Sequence, residues 1–256
     1  LAVEFMESGW SMKHVLRKIV MSETYRQSST VTPELLAADD QNRLYARGPR
    51  FRMDAEMIRD NALSIAGLLS LNRGGPPIQP YQPDGIWVKV GGQRYDYKVS
   101  PGEKRYRRGL YVVIKRGAPY PSFVNFDSDN RMACRVKRPR SNTPLQALTL
   151  MNDPVYVEAA KSLAARIISE RPAANDAERI AFALRLAVAR EPDPFEVDVL
   201  TALLDSQRSA AAADPAAARK FIGDFPLPAG THARELAAWS AVATALLNLD
   251  ETISRN

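Results

Sequence analysis

Helix starts are written into the carboxy-terminal half of the chain at five places, and they constrain the fold more than any other feature. Thr143-Pro144-Leu145-Gln146 combines a capping threonine, a proline at the first helical position and a glutamine at the third, the pattern of a capping box. Asp153-Pro154, Asn175-x-x-Glu178, Asp193-Pro194-Phe195-Glu196 and Asp214-Pro215 are further starts. Proline suits the first turn, where its missing N–H would have no partner anyway, and breaks a helix further in. Apolar residues follow at spacings of three and four: Val155, Ala159, Leu163 and Ile167; Ile180, Leu184, Ala187 and Val188; Phe195, Val199 and Leu203; and at the end Leu236, Trp239, Ala243, Leu246 and Leu247. This grammar predicts a small helical bundle with short loops over 143–256. The starts have no fixed period, so they punctuate helices and do not mark an internal repeat.

The first 72 residues also read as helical. Ser11 is an N-cap, with Trp10 and Val15 placed for a hydrophobic staple and a helix to about Tyr25. Thr32-Pro33-Glu34 is a second capped start. A long helix is expected from Arg52 to Leu71, with Met53, Met57, Ile58, Ile65 and Leu69 on one side and Gly74-Gly75-Pro76-Pro77 ending it. The opening Leu1-Ala-Val-Glu-Phe-Met-Glu reads as the end of a helix already under way, so the chain is expected to be truncated at its amino end.

Residues 73–142 break the pattern, being rich in Gly, Pro, Tyr and Arg. Ile86–Val90, Gly91-Gly92 and Arg94–Val99 predict a small β-hairpin. Gly109–Lys115 suits either a strand or a buried helical turn, and its periodicity does not decide. The expectation is a mainly α chain, a single domain over 1–256: helical over 1–72, irregular with a hairpin over 73–142, bundled over 143–256. A long irregular stretch inside a compact domain is unusual unless it is functional or packed over other elements.

Composition bounds the function classes. With 45% hydrophobic and 25% charged residues the chain is ordinary for a globular protein, and no apolar run approaches the roughly 20 residues a membrane span needs. Cys134 is the single cysteine, which excludes an internal disulfide. Positive neighbours (Arg131, Arg135, Lys137, Arg138) favour its thiolate, yet no histidine lies nearby as a base, and a free cysteine is more often a buried structural residue. The two histidines, His14 and His232, have no His, Cys or carboxylate partner at ligand spacing, so no metal site is expected. There is no Cys-x-x-Cys-His haem attachment, no Gly-x-Gly-x-x-Gly and no phosphate loop, so no cofactor is expected in this chain.

Charge is the remaining signal. Lys104 to Arg140 holds eleven Lys/Arg against Asp127 and Asp129, a local balance of +9 in a chain of net +6. The segment Asn125–Gln146 runs its arginines directly into the amino end of the helix starting at Pro144. Helix dipoles and arginine forks both favour an anion there. Asp127, Arg131, Arg135, Arg138, Arg140, Asn142, Gln146, Asn152 and Asp153 therefore form a candidate ligand-binding set for a sugar or another anion. A second reading is structural: the arginines tie an irregular loop to helix carboxylates such as Glu56, Asp60 and Glu158, and Thr143 and Asp153 are only caps. Tyr95, Tyr97, Tyr106 and Tyr111 sit among the basic residues as base-stacking groups would. Nucleic acid is nonetheless disfavoured, because no recognised module is present and the rest of the chain is net acidic.

These same residues carry a family resemblance. Phe126-Asp127-Ser-Asp-Asn-Arg131-x-x-Cys134, Arg138-x-Arg140-Ser-Asn142-Thr143-Pro144-Leu145-Gln146-Ala147-Leu148 and Met151-Asn152-Asp153-Pro154 resemble the signature of the planctomycete-specific domain of the cytochrome-associated type, a bacterial domain of unknown function. Glu4–Ser11, Tyr25–Ser29, Ala55–Asp60, Tyr106–Tyr111 and Ala238–Glu251 are similar to other stretches of it, so the likeness covers nearly the whole chain. The resemblance implies a large exported protein, periplasmic or in the cell envelope. It implies upstream domains of the same polypeptide as partners, one of them a c-type haem domain. It supplies no catalytic residue. The expectation is an accessory domain that holds an anionic polysaccharide or sugar; the alternative is a non-catalytic interdomain scaffold with a structural arginine network.

Overall fold

The computed structural model describes residues 1–87, 96–129 and 131–255. They form two compact units, Leu1–Arg52 with the last residues from Ser254, and Met53–Ile253. The chain is mainly helical, with one two-stranded antiparallel sheet among the described residues.

The first unit holds α1 (Ala2–Glu7), α2 (Met12–Val20), α3 (Glu23–Arg26), α4 (Pro33–Ala38) and β1 (Phe51–Arg52). The single helix expected over 11–25 is two. Ser11 caps α2 by accepting from the His14 N–H at 3.3 Å. Ser22 then donates to the Ile19 carbonyl at 2.7 Å and accepts from the Tyr25 N–H at 3.2 Å, closing one helix and opening the next. Trp10, at a positive φ of 60°, packs edge-on against Phe5. Thr32 caps α4 through the Leu35 N–H at 3.2 Å. β1 pairs with β2 (Ser254–Arg255), Phe51 opposite Arg255. No residue of α1 to α4 is buried. Among the described residues of this unit the buried one is Asp39, whose carboxylate takes the Arg43 and Leu44 N–H groups at 2.8 and 2.6 Å; those two bonds lower its pKa.

The second unit opens with α5 (Ala55–Ile65), shorter than the expected 52–71. Gly67, at φ 74°, ends it: Leu68 N–H reaches the Leu63 carbonyl at 2.8 Å and Gly67 N–H the Ser64 carbonyl at 3.0 Å. That is the Schellman arrangement, which needs a left-handed residue and so selects glycine. The glycines at 74 and 75 come seven residues too late to matter. The buried face of α5 is Ala55, Ile58, Arg59, Ala62, Leu63 and Ile65, and Met57 points outward.

Most of the expected hairpin, 88–95, lies outside the described residues. Gly109–Lys115 is neither strand nor α-helix. A 3-10 turn over Gly109–Tyr111 is followed by an isolated parallel bridge between Ile78 and Val112. A second 3-10 turn spans Gly102–Tyr106, and α6 (Pro121–Asn125) ends the irregular region's packed part.

The bundle follows as read: α7 (Pro144–Asn152), α8 (Pro154–Glu170), α9 (Asp176–Val188), α10 (Pro194–Ala213), α11 (Pro215–Ile222), α12 (Ala233–Leu247) and α13 (Asp250–Ile253). Asn175 with Glu178 and Asp193 with Glu196 make complete capping boxes. Asp153 and Asp214 cap through Val155 and Ala217 N–H groups at 2.9 Å. Thr143 makes no side-chain cap bond: the Gln146 N–H goes to the Thr143 carbonyl at 3.0 Å, and the Gln146 side chain is turned to the preceding loop. The core runs along α8 (Tyr156, Ala159, Leu163, Ile167) against α12 (Leu236, Trp239, Ala243, Leu246), all at most 1% exposed. Each such large apolar side chain contributes roughly 1.5–3 kcal/mol by leaving water. On α10 the core face is Leu200 and Leu204, whereas Phe195 and Val199 are exposed, which corrects the stripe read from the sequence.

Candidate functional site

Phe126, 1% exposed, anchors the end of α6 in the core. The chain then turns through Asp127, at φ 58°, a left-handed position that aspartate tolerates better than most residues. The Asp127 carboxylate accepts from Ser141 twice, from its N–H at 2.7 Å and its hydroxyl at 2.8 Å. This closes residues 127–141 into a loop. Gln146, buried on the first turns of α7, donates from Nε2 to the Asn125 carbonyl at 3.0 Å and to Ser141 Oγ at 3.1 Å. Asn125 in turn donates to Thr149 Oγ1 at 2.9 Å. Asp127 and Gln146 thus build the neck of the loop.

The loop is fastened a second time. Arg138 donates to both carboxylate oxygens of Glu56, Nη1 to Oε2 at 2.7 Å and Nη2 to Oε1 at 3.1 Å. Arg138 and Arg140 each come within 3.9 Å of an Asp54 oxygen. Arg131 and Arg138 line a cavity of about 270 Å³ together with Glu56, Asp60 and Arg108. Beyond these fixings the loop is open to solvent: Arg131, Met132, Cys134, Arg135, Val136 and Lys137 are all exposed. Arg135, itself half exposed, lies 3.7 Å from the largely buried Asp129 carboxylate. Cys134 is exposed and is not the buried structural cysteine that composition favours.

The candidate set therefore divides. Asp127, Arg131, Arg135, Arg138, Arg140 and Gln146 gather at the loop, and exposed Asn142 follows its neck. Asn152 and Asp153 are at the far end of α7, about 13 Å away for nine residues at 1.5 Å each. Asn152 donates to the Leu148 carbonyl at 2.9 Å and Asp153 caps α8. Burial lifts the Asp153 carboxyl from 3.8 to about 6, against the opposing pull of the Val155 N–H and of Arg59.

Arg105, Arg107 and Arg108 of the basic stretch and Arg59 of α5 point inward or pair with helices, whereas Arg116 is exposed. Arg59, 1% exposed, donates to the Arg107 carbonyl at 2.8 Å and the Arg105 carbonyl at 2.5 Å, so α5 holds the irregular segment by its backbone. Arg107, also buried, donates to the Pro76 carbonyl at 3.0 Å and to that of Gly74, with its guanidinium 3.8 Å from the Tyr111 ring centre. Arg105 pairs with Glu158 at 2.9 Å and Arg108 with Asp60 at 3.6 Å. Gly109 packs so closely on α5 that a Cβ there would meet the Glu56 backbone at 2.9 Å, and its N–H donates to Asp60 at 2.5 Å. Burial raises the pKa of Asp60 and of the Tyr120 hydroxyl. Arg59 and Arg107 are legible in the sequence only as charge. Their inward orientation follows from carbonyls that the irregular chain presents, which no local pattern announces.

The loop and its fixings fall within the stretch that matches a family model. The chain belongs to the PSD1 family, Protein of unknown function (DUF1553), whose model matches residues 1–204. The match takes in Glu56, Asp60 and the whole of the loop 127–141, and ends within α10. No curated protein and no solved structure matches the chain. Among the described residues no group of three or more His, Cys, Asp or Glu is placed to hold a metal ion, and no helix is long and apolar enough to cross a membrane.

Proposed function

We propose that this PSD1 chain is an accessory domain of a large exported, cytochrome-linked bacterial protein, and that its loop 127–141 holds an anionic glycan. The observation that carries the ligand reading is the contrast within the loop. Asp127–Ser141 and Arg138–Glu56 fix it, while Arg131, Arg135 and Lys137 stay exposed between the two fixings. Fixed backbone lowers the entropy lost on binding, and arginine presents a fork that fits sulfate or carboxylate. The cytochrome-linked, periplasmic or cell-envelope setting is supported by the resemblance of the signature stretches, with a c-type haem on an upstream domain and none in this chain. The full-length gene product tests it: an upstream Cys-x-x-Cys-His supports the setting, and a product without one removes it.

The scaffold reading is favoured by a different observation. Arg138, Arg108 and Arg105 each meet a carboxylate of α5 or α8. These three arginines are assigned to holding the irregular segment, and the ligand is left to the exposed cations. Replacing Arg131, Arg135 and Lys137 together by Ala is expected to lower the salt needed for elution from a sulfated-glycan column. Unchanged elution would overturn the ligand reading and leave the scaffold.

A further inference from the structure

A second cleft, of about 870 Å³, opens where the irregular segment meets the amino half of α8 and the turn after α11. That volume is in the range of small-ligand clefts, roughly 300–1,000 Å³. Its walls are unlike the basic loop. Tyr81, 42% exposed, and the half-buried Tyr106 and Phe225 supply ring surface. Asn152, Glu158 and Asp224 supply hydrogen-bonding groups.

The charges of the cleft are balanced, and Arg105, Glu158 and Lys161 are already engaged while Asp224 is exposed. Arg105 Nη2 donates to Glu158 Oε1 at 2.9 Å, and the Tyr106 hydroxyl donates to the same oxygen at 2.7 Å. Lys161 donates to the Phe221 carbonyl at 2.5 Å. Two cations face two carboxylates, so the cleft has no excess charge with which to attract an ion. Glu158 keeps acceptor capacity, since a carboxylate offers about four lone-pair sites and the bonds above use one oxygen. Asn152 gives only one N–H to Leu148, which leaves its amide oxygen. Arg105 Nε is buried without a hydrogen-bond partner among the described residues. Pinned acceptors and donors beside aromatic rings suit a ligand with hydroxyls on its edge and C–H groups on its face.

We propose that this cleft binds an uncharged saccharide, with Tyr81 and Phe225 against a sugar face and Glu158 and Asn152 on its hydroxyls. This site is separate from the loop 127–141 and does not rest on the anionic-glycan reading. The test is a glycan array of uncharged oligosaccharides, followed by calorimetric titration of the whole chain with the best of them. Tyr81→Ala and Glu158→Gln are each expected to weaken binding by about tenfold, near 1.4 kcal/mol. High salt and the Arg131/Arg135/Lys137 triple substitution are expected to leave it unchanged. Tyr81→Ala removes a half-exposed ring and serves if Glu158→Gln disturbs Arg105. Binding of no uncharged glycan, binding indifferent to Tyr81, or Tyr81-dependent binding of a proline-rich peptide in place of any glycan would overturn the proposal.

Discussion

Arg138 grips both oxygens of Glu56 across 82 residues of sequence, and that pair fastens the basic loop to α5. Both side chains are less than a third exposed, so solvent screens the pair only in part. Replacing Glu56 by Gln is expected to destabilise the chain by about 1–2 kcal/mol, the scale of a bidentate charge-assisted contact. Urea denaturation of Glu56→Gln, Arg138→Ala and the double variant measures it. A coupling near zero in that cycle would remove the pair from the account.

Gly109 is a steric prediction. A methyl group there would press on the Glu56 backbone, which sits within a helix and cannot yield as a flexible side chain would. Gly109→Ala is expected to cost about 1–3 kcal/mol, the usual range for overpacking. A melting temperature equal to that of the unsubstituted chain would contradict the close approach.

Asp153 makes stability depend on pH in the less common direction. Its folded pKa of about 6 lies above the ordinary 3.8, so between those values the folded chain holds a proton that the unfolded chain has lost. Its contribution is therefore fully present below about pH 4 and falls as pH rises through 6. Asparagine keeps the capping oxygen without the charge. Asp153→Asn should gain on the unsubstituted chain between pH 4 and 7, by on the order of 2 kcal/mol. Comparing the two cancels carboxylates of opposite behaviour, such as Glu196, held at about 2 by Arg190. A pH-independent difference would contradict the assignment.

Arg208 joins three helices. It meets Asp176 of α9 at 2.5 Å and Glu235 of α12 at 2.6 Å, and Glu235 also accepts from the Trp239 indole at 2.9 Å. Lysine offers a point charge where the fork serves two carboxylates at once. Arg208→Lys is expected to lose about 1 kcal/mol in urea denaturation, and Arg208→Ala somewhat more. Equal stability of all three forms would show the clip to be inert.

What could be read from the sequence was local. The capping boxes at Asn175 and Asp193 depend on residues three apart, and both formed. The pairing of loop arginines with Glu56, Asp60 and Glu158 was also legible, because charge on an irregular segment must find helix carboxylates or water. The α10 stripe misled because Phe195 and Val199 are apolar at helical spacing yet lie on the exposed side. Gly67 ends α5 without a flanking proline or second glycine, so the Gly-Gly-Pro-Pro run at 74–77 is the stronger stop signal in the sequence alone. Arg59 and Arg107 were out of reach, since their burial depends on carbonyls that only the folded irregular segment presents. The cleft beside Glu158 gathers residues from 68 to 226, a distance no motif spans.

The separation of fixing from binding within one loop is the central claim. The most direct measurement sets two variants side by side, recording both urea stability and the salt needed for elution from a sulfated-glycan column. The Arg131/Arg135/Lys137 triple substitution to Ala is expected to elute at lower salt, with affinity reduced about tenfold, and to keep its stability. Glu56→Gln is expected to lose stability, the loss that the triple variant lacks. Unchanged elution of the triple variant, or a loss of stability equal to that of Glu56→Gln, would contradict the account.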